Sequence, residues 1–119
     1  PNPDNLLLLV SDHVNGKFER VEGFDDSMGA QTKGMYEAPT AVKLADGRWC
    51  LFADFYGAGC AGQGYVPFVS DDLTKGVFTR ADEAFHFPYG FKHGTILPIT
   101  EEEYERMLAR DWTDVPDLR

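Results

Sequence analysis

One short phrase is written twice in this chain of 119 residues. Ser11-Asp12-His13-Val14-Asn15-Gly16-Lys17-Phe18-Glu19-Arg20 returns, about sixty residues later, as Ser70-Asp71-Asp72-Leu73-Thr74-Lys75-Gly76-Val77-Phe78-Thr79-Arg80. Each copy follows an apolar run, Leu6 to Val10 in the first case and Val66 to Val69 in the second. A strand, a polar turn carrying Ser-Asp and Gly, and a second strand opening on Phe therefore recur as a unit. Recurrence of that kind is the mark of stacked copies of one supersecondary element, and the chain reads as modular.

Between the copies the pattern is strand and turn. Thr40 to Leu44, then Asp46-Gly47, then Trp49 to Ala53 reads as a hairpin, because Asp-Gly supplies the positive φ that a two-residue turn needs. A Gly-rich stretch from Gly57 to Gly64 leads into Tyr65–Val69, and Asp71-Asp72 turns the chain toward Val77–Arg80. Four antiparallel strands then fill about residues 40 to 81, the content of one β-propeller blade, with Leu6–Val10 and Phe18–Val21 as the outer half of the blade before it. The fold class expected is all-β: a partial β-propeller of about one and a half to two four-stranded blades, with a short C-terminal helix. Residues 1–35 are expected to hold the end of one blade and a loop, 36–81 one blade, and 82–119 a closing strand, a helix and a tail. The closing strand is Thr95–Ile99. Thr100 and Glu103 form a capping box for a helix over 101–110, which sets Tyr104, Met107 and Leu108 on one face to cover a core edge. Asp25-Asp26 reads as loop.

Charge narrows the partners. Twenty acidic against eleven basic residues leave a net charge of −9, which repels phosphate backbones and anionic lipid heads, so neither nucleic acid nor a membrane surface is expected. No apolar run approaches a membrane span, and Leu6–Val10 is too short and lacks the basic flank of a signal sequence, so the chain reads as soluble with its compartment open. The opening Pro1-Asn2-Pro3-Asp4 runs straight into a strand-like segment, as if the chain starts inside a longer one. Cys50 and Cys60 lack metal-ligand spacing and read as buried thiols or as one disulfide.

Tyr36-Glu37-Ala38-Pro39-Thr40, Asp46-Gly47-Arg48-Trp49 with Leu51-Phe52-Ala53-Asp54, Ser70-Asp71-Asp72-Leu73, and Lys92-His93-Gly94-Thr95 followed by Ile99-Thr100 and Glu103 occur in that order. Together, from about residue 5 to about residue 108, they resemble the C-terminal part of glycoside hydrolase family 43, the five-bladed propeller group of arabinanases, β-xylosidases and α-arabinofuranosidases. The resemblance implies inverting hydrolysis of pentose-containing glycans. That reaction needs a protonated carboxyl for the leaving oxygen and an ionised one to activate water, about 6.5–9.5 Å apart.

Glu37 matches the family's general acid. Partial dehydration among Tyr36, Pro39 and neighbouring rings would help it hold its proton. Ala38 stands where the family usually has Gly, which matters if the turn needs positive φ. The family's general base is an Asp early in the propeller and its acid-tuning Asp comes from a middle blade. Neither has a matching position, since Asp25, Asp26 and Asp54 do not fit the base. The resemblance thus implies a chain inactive by itself, completed by the remainder of a propeller or by another copy of itself that covers its strand edges.

His93 matches a histidine near the propeller axis that helps hold a central ion, calcium reached through water; read from the residues alone, it is equally a hydrogen-bonded histidine that orients loops. Lys92 stands where many relatives carry Arg. His13 and His86 have no motif around them and read as surface residues. Sugars stack on exposed rings, so Tyr36, Tyr56 and Phe91, with Lys92, are the expected substrate contacts, while Tyr65, Phe85, Phe87 and Tyr89 serve either the same cleft or the interfaces between blades. Two other functions remain open on the sequence: a carbohydrate-binding module without catalysis, and a structural, oligomeric fragment.

Overall fold

The computed structural model describes residues 6–32, 35–56, 64–85, 87 and 91–111. The fold is all-β, with two antiparallel sheets and two short α-helices among the described residues. A two-stranded sheet pairs β1 (Leu9–Val10) with β2 (Glu19–Arg20), and a four-stranded sheet runs in chain order through β3 (Tyr36–Lys43), β4 (Trp49–Phe55), β5 (Gly64–Ser70) and β6 (Thr79–Arg80). A four-stranded meander in sequential order has the connectivity of a propeller blade, the architecture expected of a partial propeller.

The repeated phrase is a repeated structure. Leu9 faces Arg20 and Val10 faces Glu19 in the first hairpin, while Phe68 faces Arg80 and Val69 faces Thr79 in the second. Ser11 Oγ donates to the His13 carbonyl at 2.8 Å, and Ser70 Oγ donates to the Asp72 carbonyl at 3.2 Å, so both turns open on the same serine bond two residues ahead. Beyond the turns, the Val21 amide donates to the Leu8 carbonyl at 2.9 Å and the Ala81 amide to the Pro67 carbonyl at 3.0 Å. The copies differ in surroundings. Phe78 is buried at 3% exposure, whereas Phe18, in the equivalent place, is 54% exposed.

The central strands β4 and β5 of the four-stranded sheet are buried on both faces. On one face Tyr36, Leu51, Ala53, Val66 and Phe68 form the main core with Phe24, Met28 and Phe78; on the other, Cys50, Phe52 and Tyr65 pack with Phe85, Phe87 and Ile96. The main core is closed by α1 (Glu22–Thr32), where sequence reasoning placed a loop containing Asp25 and Asp26. That stretch is helical because Phe24 and Met28, four apart, bury on one side, and because Ser27 Oγ donates to the Phe78 carbonyl at 2.8 Å and accepts from the Phe78 amide at 2.9 Å. Gly23 makes this docking possible, since a Cβ there would lie 2.4 Å from the Lys75 carbonyl oxygen.

The last third departs from expectation twice. Thr95–Ile99 is not a strand: Ile96 packs on the second core while Leu97 and Ile99 stay exposed, and no described strand lies alongside to satisfy a ladder. The helix α2 (Glu101–Ala109) does form on its capping box, the Thr100 amide donating to Glu103 Oε2 at 2.7 Å and the Glu103 amide to Thr100 Oγ1 at 3.2 Å. It covers no core edge, however. Tyr104, Met107 and Leu108 are about half exposed or more, because a capping box starts a helix without supplying anything to pack it on. Among the described residues, no helix is long and apolar enough to cross a membrane. Cys50 is a free, fully buried thiol, and burial pushes its pKa up to about 11. Cys60, His86, Tyr89, the loop over 57–63 and the tail over 112–119 lie outside the described residues.

A β-bulge sets which way the start of β3 faces. Thr40 pairs with Phe52 and Glu37 with Asp54, so Ala38 and Pro39 together oppose one residue, Ala53. Pro39 lacks an amide hydrogen and loses little at a bulge. Ala38 takes φ +46° there, the conformation a glycine would adopt without strain. The extra residue reverses the alternation: Tyr36 turns into the main core and Glu37 turns to the face that carries Phe52 and Asp54. Removing the Cβ should relieve about 1–2 kcal/mol of left-handed strain, partly offset by the looser unfolded chain, so Ala38→Gly is expected to raise stability by about 0.5–1 kcal/mol. Urea unfolding midpoints check this, and a fall in the midpoint would mean that the bulge does not strain Ala38.

Candidate active site

Three side chains from three segments meet at one end of the four-stranded sheet. Glu37 sits at the start of β3, Asp54 near the end of β4 directly opposite it, and His93 in the turn that crosses this face. One oxygen of each carboxylate and Nε2 of the imidazole lie within 4.8 Å of one another. His93 Nε2 is 3.6 Å from Glu37 Oε1 and 3.5 Å from Asp54 Oδ2, and the His93 amide donates to that same Asp54 oxygen at 3.0 Å. The His93 backbone holds φ +49°, a region histidine enters more readily than most residues. Tyr65 braces the turn, its hydroxyl donating to the Gly94 carbonyl at 2.5 Å and its amide to the Phe91 carbonyl at 3.3 Å. Burial, then the nearby Asp54 charge, raises the Tyr65 phenol above its ordinary pKa, with the Gly94 bond acting the other way.

The three groups have unequal access to water. The Glu37 side chain is 47% exposed and the His93 ring 58%, whereas Asp54 is fully buried and its Oδ1 has no hydrogen-bond partner among the described residues. Tyr36 and Pro39 do not dehydrate Glu37 as the sequence suggested. The bulge carries the Tyr36 ring to the opposite face, where it stands edge-on to Phe68 at 5.4 Å, and Pro39 is itself exposed. Tyr36 is therefore a core residue, 6% exposed, and no surface for a sugar.

The other expected contacts stay near the open end. Phe91 is 44% exposed and stacks on Phe87 at 5.7 Å with 16° between the rings. Lys92 and His93 follow it in the same turn, and Tyr56 is half-buried just past β4, its amide donating to the Met35 carbonyl at 3.1 Å. Tyr65, Phe85 and Phe87 belong to the second core around Phe52.

Asp54 is the member that sequence reasoning passed over, taking it for the polar end of a hairpin strand. A signal existed. Cys50, Phe52 and Asp54 alternate along β4, and a lone carboxylate continuing an apolar face is the uncommon case that calls for a reason.

Chemically, the arrangement offers an accessible carboxylate beside an imidazole and a buried carboxylate. Asp54 cannot be the water-activating partner of Glu37: their oxygens lie within 4.8 Å, inside the separation of about 6.5–9.5 Å that leaves room for water, and Asp54 meets no solvent. The three converging donors are one nitrogen and two oxygens.

A family described as "probable glycosyl hydrolase domain", related to glycoside hydrolase family 43, matches residues 2–105, and the chain belongs to that family. No curated protein and no solved structure matches it.

Proposed function

We propose that this chain is the C-terminal, acid-bearing part of an inverting glycosidase acting on arabinan- or xylan-type oligosaccharides, with Glu37 donating the proton to the leaving oxygen. The observation that carries the reading is Glu37 itself, turned by the bulge onto the open end of the sheet and facing His93 at 3.6 Å. Phe91 supplies a half-exposed ring for a sugar face, with Tyr56 and Lys92 beside the same opening. Asp54 holds His93 through the His93 amide, and His93 in turn limits where Glu37 can point. The base is expected from elsewhere, since Asp54, the carboxylate that meets Glu37, lies too close to it and has no access to water.

What completes the site also covers an edge. Leu7, just before β1, and Leu9 and Val10 within it are each about half exposed, and the only partner of β1 among the described residues is β2. Its repeat counterpart β5 is paired on that side by β4 along its whole length. An antiparallel strand of the same apolar character therefore fits against β1, drawn from the remainder of a propeller or from another copy of the chain.

The test is the product of the full open reading frame, assayed on arabinosyl and xylosyl nitrophenyl substrates with proton NMR reading the anomeric configuration of the first product. Inverted product is expected. An inactive full-length protein, or a retained configuration, would sink the reading. A carbohydrate-binding role without hydrolysis is favoured by one observation, the full burial of Asp54, which bars the carboxylate opposite Glu37 from activating water. It expects arabino- or xylo-oligosaccharides to change intrinsic fluorescence while no full-length product hydrolyses them.

A further inference from the structure

We infer that the outer side of the first hairpin, at Val14 and Phe18, is a docking surface for a helix of the α1 kind, supplied by the polypeptide that completes the propeller. The second hairpin shows what such a surface holds. Helix α1 lies on its outer side: Phe24 stands edge-on to Phe78 at 5.5 Å, and Ser27 Oγ accepts from the Phe78 amide and donates to the Phe78 carbonyl. Leu73, in the turn of that hairpin, packs against the same core.

The first hairpin repeats this surface without its cover. Counted forward from Ser11 and Ser70, Val14 stands where Leu73 does; counted back from Arg20 and Arg80, Phe18 stands where Phe78 does. Val14 is 97% exposed and Phe18 54%, against 3% for Phe78. The backbone gives a second, independent sign. The Val21 amide donates to the Leu8 carbonyl, so in the alternation of an antiparallel pair the amide and carbonyl of Phe18 point away from β1. Those of Phe78 point away from β5 in the same way, and Ser27 meets both. At Phe18 neither group has a hydrogen-bond partner among the described residues.

These features describe the occupant. A ring to be covered, beside one outward donor and one outward acceptor, fits a short helix that brings a large apolar residue to Phe18 and, three positions later, a hydroxyl to its backbone, as Phe24 and Ser27 do at Phe78. Helix α1 itself cannot fill the place, in this copy or in another, because Phe24, Ser27 and Met28 are already engaged on the second hairpin and the main core. The inference rests on the reading of the chain as one part of a larger propeller, and on none of that reading's chemistry.

Amide hydrogen exchange on the product of the full open reading frame tests this without any variant and without reference to hydrolysis. The Phe18 amide is expected to exchange at least about a hundredfold more slowly than an unprotected amide, as the Phe78 amide does. Photo-crosslinking identifies the occupant: with Val14→benzoylphenylalanine, the crosslink should fall within the same polypeptide, outside the 119 residues described, on a segment with apolar residues three or four apart and a Ser or Thr between them. Mixing isotope-labelled and unlabelled protein separates crosslinks within one molecule from those between two. An unprotected Phe18 amide, no crosslink, or a crosslink to a second copy overturns the inference. Because activity enters neither readout, an inactive enzyme with a protected, crosslinked Phe18 face would sink the glycosidase reading alone.

Discussion

Glu37→Gln in the full-length protein is expected to slow hydrolysis of arabino- or xylo-oligosaccharides by about 10²–10⁴-fold, the usual contribution of a general acid. The exchange keeps the side chain's size and removes only its proton. Its signature is dependence on the leaving group. A sugar alcohol leaves poorly without a proton, whereas nitrophenolate is stable as an anion, so the loss on nitrophenyl substrates should be far smaller. Because Glu37 is about half exposed and makes no core contact, its replacement should leave stability within about 0.5 kcal/mol of the parent. Equal losses on both substrate types, or a loss that tracks the melting temperature, would show that Glu37 supports the site without donating a proton.

Phe68→Ala should cost about 3–5 kcal/mol, a large share of the roughly 5–15 kcal/mol that holds a domain of this size together. Phe68 is the largest of the fully buried side chains, sits at the centre of β5, and packs edge-on against Tyr36 at 5.4 Å. Helix α1 covers the core from one side and the sheet backbone closes the other, so the cavity has little freedom to collapse. The consequence reaches the site. Tyr36 loses the ring that holds it on the core face, and Glu37, the next residue, loses the anchor behind its direction. Urea unfolding compared with Val10→Ala, at a position 51% exposed, gives the scale; a drop for Phe68→Ala no larger than for Val10→Ala would refute this account of the core.

Local features were legible wherever a few neighbouring residues decide the outcome. The Asp46-Gly47 turn needs only its own pair of residues, and its flanking strands β3 and β4 form in antiparallel register with Lys43 opposite Trp49. The serine turns at Ser11 and Ser70 and the Thr100–Glu103 box are likewise made from bonds no more than three residues long. The repeat was visible because two hairpins of one kind need similar residues in the same places. Glu37 and His93 were singled out through family resemblance, and the structure brings the two side chains together from the start of β3 and from the turn before α2.

What escaped the sequence depends on long-range packing. The stretch Glu22–Thr32 carries glycines and four acidic or amide side chains, and it becomes a helix because Phe24 and Met28 find the sheet and Ser27 finds Phe78, fifty-one residues away. Thr95–Ile99 has strand composition, yet a ladder requires an edge beside it. Asp54 was marked only as a lone carboxylate continuing the Cys50–Phe52 face, since β4 is buried on both faces and shows no polar–apolar alternation. By itself the sequence determined the turns, the strand segments, the capped helix and the pair of matching hairpins, since these rest on backbone preferences and short bonds. Only the tertiary structure decided which face each residue occupies: one extra residue at Ala38-Pro39 reverses a strand's two sides, and the packing across the sheet selects the side that carries Glu37 to Asp54 and His93.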